Sequence, residues 1–159
     1  MPTQFACPSA LFPALPAVTL TAPEGWVGTP APGSAIAVRA TVPDGEFAPN
    51  VVVTLNRYLA DYSLELALSG LRTELEHYPE HKVDEPFDAV FGEDRYVVVN
   101  TALTHPQFGS MVQVHAYTSF VRGELKDVVH VVGSCAGAQL ARDYPLLQQV
   151  MESTRVSVS

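Results

Sequence analysis

Residues 47–57, which read Phe47-Ala48-Pro49-Asn50-Val51-Val52-Val53-Thr54-Leu55-Asn56-Arg57, decide the fold of this chain. The dipeptide Pro49-Asn50 is a turn signal, and the valine-rich run that follows it is typical of a β-strand. The run ends in the polar pair Asn56-Arg57, and from Ser63 onward the apolar residues take helical spacing. The stretch therefore predicts a strand over residues 50–58 that leads into a helix.

A second turn, Pro23-Glu24-Gly25-Trp26, precedes this strand. The order of a GW turn, a PNVVV strand and a helix resembles the LpqN-like branch of the PsbP-like superfamily. The resemblance covers most of residues 17–156. It implies a PsbP-like α/β sandwich, and a role in protein assemblies or envelope machinery. Its motifs carry no catalytic signature, so it implies a binding or accessory function rather than a reaction.

The periodicity of the residues predicts an α+β fold, a mostly antiparallel sheet with two main helices packed on it. Strands are predicted over 17–22, 34–42, 50–58, 83–91, 95–103, 111–121 and 126–133. Pro86 weakens the fourth of these, because proline cannot donate to a sheet. Helices are predicted over 63–78 and 139–154, with Pro145 starting the main segment of the second.

The first helix has a clear apolar stripe, whose members step by four and three residues: Leu64, Leu68, Leu71, Leu75 and Tyr78. This spacing predicts that the stripe packs on the sheet. Asp61 or Ser63 can cap the start of the helix, and Pro79 stops its end.

Length and charge limit the domain organisation and the partners. The 159 residues fit one domain, with a proline-rich tail over 1–16 and a single PsbP-like domain over 17–159. The net charge of −8 and the scattered basic residues exclude nucleic acid and anionic membrane as main partners. The sequence contains no run of 18 apolar residues, so no membrane-spanning helix is predicted.

The amino-terminal segment lacks the features of a secretory leader. Residues 1–22 contain no Lys or Arg, and Cys7 has too few residues before it, and the wrong neighbours, for a lipoprotein anchor. If Met1 is the native start, the sequence predicts a cytoplasmic protein. Its two cysteines, Cys7 and Cys135, are then expected to be free thiols.

Cys135 lies in the only motif that resembles a catalytic one, Gly133-Ser134-Cys135-Ala136-Gly137, directly after a valine-rich strand. This is the context of a nucleophile elbow. In that fold a histidine follows the nucleophile, whereas the last histidine here is His130. A strand exit made of small residues is the favoured interpretation. A thiol hydrolase in which Cys135 borrows His115 or His130 is the least favoured.

His77 and His81 have the spacing of a zinc-binding pair on a helix, but Pro79 between them ends the helix. We therefore predict no metal site, no cofactor and no catalytic residues. Tyr58, Tyr62 and Trp26 could line a pocket, although packing at the core or its rim is the default interpretation.

His115, Tyr117 and His130 are the candidate binding residues. If an even-length loop at Arg122-Gly123-Glu124 joins their two strands, these side chains share one sheet face with Gln113. Val112, Val114, Ala116, Phe120, Val129 and Val131 then share the other. The polar aromatic patch is expected to be exposed, as on an ordinary antiparallel sheet, and able to bind a ligand or a partner.

Taken together, these patterns predict a non-catalytic binding or accessory protein that contacts a protein partner or a small ligand. A carrier of a small apolar ligand is the alternative. The sequence leaves the identity of the partner, and assembly into a homodimer, open.

Overall fold

A computed structural model describes residues 1–159, with ten strands, two α-helices and one 3-10 turn. The strands are β1 (Ala17–Thr19), β2 (Trp26–Gly28), β3 (Ile36–Ala40), β4 (Asn50–Leu59), β5 (His81–Val83), β6 (Phe87–Phe91), β7 (Asp94–His105), β8 (Gly109–Arg122), β9 (Leu125–Ala136) and β10 (Arg155–Ser157). The helices are α1 (Leu64–Leu75) and α2 (Leu140–Glu152), and the 3-10 turn (Gly137–Gln139) joins β9 to α2.

Eight strands form one antiparallel sheet, in the order β2-β3-β4-β9-β8-β7. Both β5 and β6 pair with the outer edge of β7, because the segment around Pro86 interrupts what would otherwise be a single strand. β1 and β10 pair separately and bring the start and the end of the domain together. This architecture confirms the predicted α+β class, with a mostly antiparallel sheet and two helices packed on it.

The two helices cover opposite faces of the sheet. α2 packs on the face that carries Val51, Val129 and Val131, through Leu147, Val150 and Met151. α1 packs on the other face, where Leu71 and Leu75 lie against a second buried set: Val99, Leu103, Met111, Tyr117, Val128 and Ala136. We call these the α2 face and the α1 face. Alternate residues of β8 and β9 therefore belong to different cores.

The hairpin between β8 and β9 fixes which residues share a face. Arg122 pairs with Leu125, so the loop is the two-residue turn Gly123-Glu124. Gly123 has φ of 66°, a backbone conformation that glycine adopts without steric cost and that tight hairpins require. The loop has an even length, as the sequence interpretation assumed.

Both helices differ in detail from the predicted ones. α1 ends at Leu75 and not at Tyr78, because the amides of His77 and Tyr78 bond to carbonyls three residues back and tighten the chain. Ser63 occupies the capping position, but its side chain makes no capping hydrogen bond.

The prediction that Pro145 starts the main segment of the second helix was wrong. α2 begins at Leu140 and contains Pro145 in its second turn. The 3-10 turn leads directly from β9 into helical geometry, so the helix forms before the proline is reached. Near the amino-terminal end, the missing proline N–H removes only one helical hydrogen bond.

Residues 1–16 form no helix or strand, but two side chains of the sheet hold the end of this segment. Arg57 donates to the carbonyls of Pro13 and Ala14, at 2.6 and 3.2 Å, and Arg122 also donates to Ala14. Both guanidinium groups contact the fully buried carboxylate of Asp127, at 2.6 Å from Arg57 and 3.6 Å from Arg122.

Neither helix is long and apolar enough to span a lipid bilayer.

Candidate functional site

Gln113, His115, Tyr117 and His130 lie on the same face of the sheet, the α1 face. Tyr117 is directly opposite His130 across the β8–β9 ladder, and His115 is opposite Val132. The rings of Tyr117 and His130 are nearly parallel, with centroids 4.2 Å apart. The predicted sharing of one face therefore agrees with the register.

A chain of hydrogen bonds links four polar side chains beneath α1. Gln113 Nε2 donates to Ser134 Oγ at 3.3 Å, and Gln113 Oε1 lies 3.1 Å from His115 Nε2. An amide oxygen only accepts, so His115 carries its proton on Nε2 and leaves Nδ1 as an acceptor. His115 Nδ1 lies 3.0 Å from His130 Nε2, which must therefore be the donor. This chain of donors fixes the neutral tautomer of both histidines.

The free end of this chain is His130 Nδ1, which makes no hydrogen bond within the protein. The buried side-chain polar atoms without a partner are Tyr96 Oη and Thr154 Oγ1, so His130 Nδ1 remains accessible to solvent. Once Nε2 carries the proton, Nδ1 presents a lone pair. The site thus offers one oriented acceptor.

Burial keeps both imidazole rings neutral. It lowers the pKa of His115 from 6.5 to about 4. The pKa of His130 falls to about 3, first through burial and then through the proximity of His115. Neither ring is expected to carry charge at neutral pH.

The expectation that this face is exposed was wrong. His115 and Tyr117 are only 5% and 4% exposed, because α1 lies across the sheet at this point. Tyr117 packs in the same core as Leu71, so a change of Tyr117 to alanine would cost stability. A change of Tyr117 to alanine would therefore not test function alone. The part of the patch that remains accessible is the edge that α1 leaves uncovered.

That edge is a groove of about 330 Å³ between α1 and the sheet, which we call the α1 groove. Tyr58 and Tyr62 stack along it, with ring centroids 3.7 Å apart and planes at 5°. The residues that line it come from β4, the segment before α1, α1 itself, β8 and β9: Asn56, Tyr58, Tyr62, Leu66, Ala67, Gly70, Leu71, Glu74, Tyr117, Val128 and His130.

The sequence offered Tyr58 and Tyr62 as pocket residues but gave no role to Glu74. The spacing of Ala67, Gly70, Leu71 and Glu74, in steps of three, one and three, marks one edge of the helix. That edge could be recognised as a groove wall only once the face on which α1 packs was known.

A larger cleft of about 740 Å³, the α2 cleft, opens on the other face at the start of α2. Gly137, Ala138 and Ala141 leave the space open, and Tyr144 Oη donates to Asn100 Oδ1 at 3.3 Å within it. Lys82 and Asp84 line it and form an ion pair at 3.3 Å. Sequence analysis did not identify this cleft, because β5, β7, β8 and α2 each contribute only a few of its residues.

Cys135 lies on the α2 face, fully buried, and is separated by the sheet from both histidines. It pairs with Val112 across the β8–β9 ladder, three positions beyond the His115–Val132 pair, and an odd offset reverses the face. Burial, with the charge of Asp143, raises the pKa of its thiol to about 11. The strand exit does lead into a helix, as in a nucleophile elbow, but the thiol reaches neither imidazole.

His77 and His81 do not share a helix. His77 is exposed after α1, whereas His81 is in β5 with its Nδ1 2.8 Å from the carbonyl of Tyr78. No group of three or more His, Cys, Asp or Glu side chains is arranged to hold a metal ion.

Comparison with solved structures finds the same architecture in proteins of very different sequence. LpqN of Mycobacterium tuberculosis, described as involved in cell envelope biogenesis, superposes with a TM-score of 0.73 at 14% identity, over 91% of this chain and 86% of that one. The cyanobacterial PsbP (CyanoP) of Synechocystis gives 0.58 at 13% identity, over 98% of both chains. The Ran-binding protein Mog1p of Saccharomyces cerevisiae gives 0.52 at 14% identity, over 87% of this chain and 89% of that one.

At the level of sequence, no family model matches the chain, and no curated protein matches it significantly. The likeness is therefore one of fold. These superpositions show that the chain has the LpqN-like form of the PsbP-like fold.

Proposed function

We propose that this protein is a non-catalytic binding or accessory protein that contacts its partner through the α1 groove. The observation that carries the proposal is the unpaired acceptor His130 Nδ1, whose tautomer a buried hydrogen-bond chain fixes in a residue that lines an aromatic groove. Three of the groove's side chains are tyrosines, and tyrosine is enriched where proteins bind one another.

The protonation states in the groove support recognition rather than proton transfer. The low pKa values of the two histidines keep them neutral at pH 7. Burial raises the pKa of the Tyr117 hydroxyl, so this group is also neutral. A general acid or base works best with a pKa near the working pH, and these groups lie far from it. They are suited to fixed hydrogen bonds.

The structural relatives support the same proposal only through the shared fold. Mog1p is described as a Ran-binding protein, and LpqN as involved in envelope biogenesis. One fold serves many functions, so their partners are not assigned to this chain.

Gly70 offers a direct test because it lines the groove without supporting it. A Cβ added at Gly70 meets no atom within 4 Å, and replacing glycine in a helix adds stability, by about 0.5–1 kcal/mol. Gly70→Leu should therefore fill the groove in a folded protein. Ser69→Leu, which is exposed and does not line the groove, is the matched control.

The experiment compares the proteins that these variants capture from an extract of the native host, by quantitative mass spectrometry. A partner of the groove is captured by the wild type and by Ser69→Leu but lost with Gly70→Leu. Equal capture by all three would contradict the proposal. So would turnover of a substrate in an esterase or thioester screen that Cys135→Ala abolishes.

The α2 cleft supports a second candidate function, the carriage of a small ligand. Its volume of about 740 Å³ falls within the range of small-molecule sites, about 300–1,000 Å³. Native mass spectrometry of protein purified from its host would reveal a bound mass, and Ala141→Leu should displace it.

A cytoplasmic location is part of the main proposal, and fractionation of host cells tests it.

A further inference from the structure

We propose that the α1 groove recognises a basic side chain of a partner protein and prefers arginine to lysine. This inference rests on the proposed function and names the chemistry of the residue that the groove accepts. It is carried by the composition of the groove wall: three tyrosine rings, one oriented acceptor nitrogen and a single formal charge, which is negative.

The charge comes from Glu74, the one ionised residue among those that line the groove. Lys126 lies nearby on the same sheet face, but its ammonium group donates to the backbone carbonyl of Tyr62, and it does not line the groove. A cation that enters therefore meets a carboxylate without a competing basic side chain in the wall. The net charge of −8 adds a field of the same sign over longer distances.

The aromatic rings suit a cation as well. A guanidinium or ammonium group is attracted to the face of a tyrosine ring, and arginine makes such contacts more often than lysine. Tyr58 is stacked on Tyr62 in the wall, whereas Tyr117, which is stacked on His130, is buried. A planar guanidinium group can lie parallel to the Tyr58–Tyr62 pair.

His130 completes the match because it selects for a donor. Its Nδ1 accepts a hydrogen bond, and the tautomer fixed by His115 prevents it from donating one. Arginine carries five N–H donors and no acceptor, so a guanidinium group has donors for both His130 Nδ1 and the Glu74 carboxylate, two residues that line the groove. The groove's volume of about 330 Å³ is at the small end of ligand sites, in keeping with a single side chain.

The test uses three peptides that differ at one residue: acetyl-Gly-Arg-Gly-amide, acetyl-Gly-Lys-Gly-amide and acetyl-Gly-citrulline-Gly-amide. Citrulline has the shape of arginine without its charge. Binding is followed by shifts of the backbone amide signals in NMR titrations of the full chain. We expect the arginine peptide to bind about ten-fold more tightly than the citrulline peptide, with the lysine peptide between them.

Two isosteric variants locate the charge. Glu74→Gln should weaken binding of the arginine peptide by about five-fold and leave the affinity for the citrulline peptide unchanged. Glu76→Gln removes the same charge two residues away, outside the groove, and should leave both affinities unchanged. Methylguanidinium distinguishes the source of the cation: if it binds as tightly as the arginine peptide, the groove serves a free small cation and the proposal of a protein side chain is overturned.

Equal binding of the citrulline and arginine peptides, or equal losses in Glu74→Gln and Glu76→Gln, would overturn the inference. Absence of binding by all three peptides would overturn it too. These outcomes are separate from the fate of the proposed function, since a groove that prefers a neutral residue would still lose its partner in Gly70→Leu.

Discussion

His115 Nδ1 and His130 Nε2 lie 3.0 Å apart beneath α1, so a single hydrogen bond joins the two imidazole rings. Each strand contributes one ring, and the register of the β8–β9 hairpin brings the rings together. This pair can hold only one proton between its facing nitrogens. Protonation of His115 would add a second proton to that gap and break the hydrogen bond.

The first prediction concerns the pH dependence of stability. The pKa values of His115 and His130 in the folded protein, about 4 and about 3, lie below their unfolded value of 6.5, so the unfolded state binds more protons. Stability from these groups is complete above pH 6.5 and falls as the pH drops toward the folded values. Between pH 7.5 and 5, each histidine should cost on the order of 2 kcal/mol of unfolding free energy.

Chemical denaturation at several pH values measures this effect. A double variant, His115→Gln with His130→Gln, should flatten the profile between pH 7.5 and 5. His77→Gln changes an exposed histidine and should leave the profile as it is in the wild type. A wild-type profile without a slope in this range would contradict the buried neutral pair.

The second prediction concerns the packing of α1 on the sheet. Leu71 is buried and contacts the α1-face core, so Leu71→Ala should lower the free energy of unfolding by about 2–5 kcal/mol. Leu66, on the same helix, is 57% exposed, and Leu66→Ala should cost about 0.5 kcal/mol or less. Urea denaturation of the two variants distinguishes the faces. Similar losses would show that the orientation of α1 is misassigned.

Much of the fold was predictable because period-two alternation survives in the long strands. Val129 and Val131 were separated correctly from His130, and a two-residue turn at Gly123 preserved the register. The apolar stripe of α1 was equally clear, and Leu71 and Leu75 are its buried members. Such patterns are local, and each reports the period of its own segment.

The covering of the candidate site was not predictable from the same patterns. An amphipathic helix shows that it packs on a sheet but not on which face, and both faces of this sheet are apolar enough to receive one. Tyr117, which was expected in an exposed patch, is therefore buried in a core. The α2 cleft escaped prediction for a related reason, since it exists only where distant elements leave a gap beside Gly137 and Ala141.

The third prediction concerns the buried ion pair that holds the amino-terminal segment. Asp127 is fully buried and contacts Arg57 and Arg122, so Asp127→Ala leaves two guanidinium groups without their carboxylate. Removal of one partner from a buried pair costs about 3–5 kcal/mol. Thermal or urea denaturation measures the loss. Arg39→Ala, which removes only an exposed hydrogen bond to Thr29, should change stability little.

The same contacts predict how the segment before β1 responds to proteolysis. Arg57 donates to the carbonyls of Pro13 and Ala14, and its removal frees that part of the chain. Limited proteolysis should cleave residues 1–16 faster in Arg57→Ala than in the wild type or Arg39→Ala, while the domain stays intact. Unchanged cleavage rates would show that the arginine does not hold the segment.

The last prediction concerns the two thiols, which differ in exposure and therefore in reactivity. Cys7 is exposed, whereas Cys135 is fully buried among Leu147, Met151 and the valines of the α2 face. The reactive form of a thiol is the thiolate, and a pKa of about 11 for Cys135 leaves little of it at pH 7.5. A thiol reagent such as DTNB should therefore label one cysteine of the native protein quickly and the second only after unfolding in urea. Cys7→Ser should abolish the fast phase, and Cys135→Ala should abolish the slow one. Rapid labelling of native Cys7→Ser would mean that Cys135 is accessible and ionised, which would restore the thiol-enzyme hypothesis that the sheet geometry argues against.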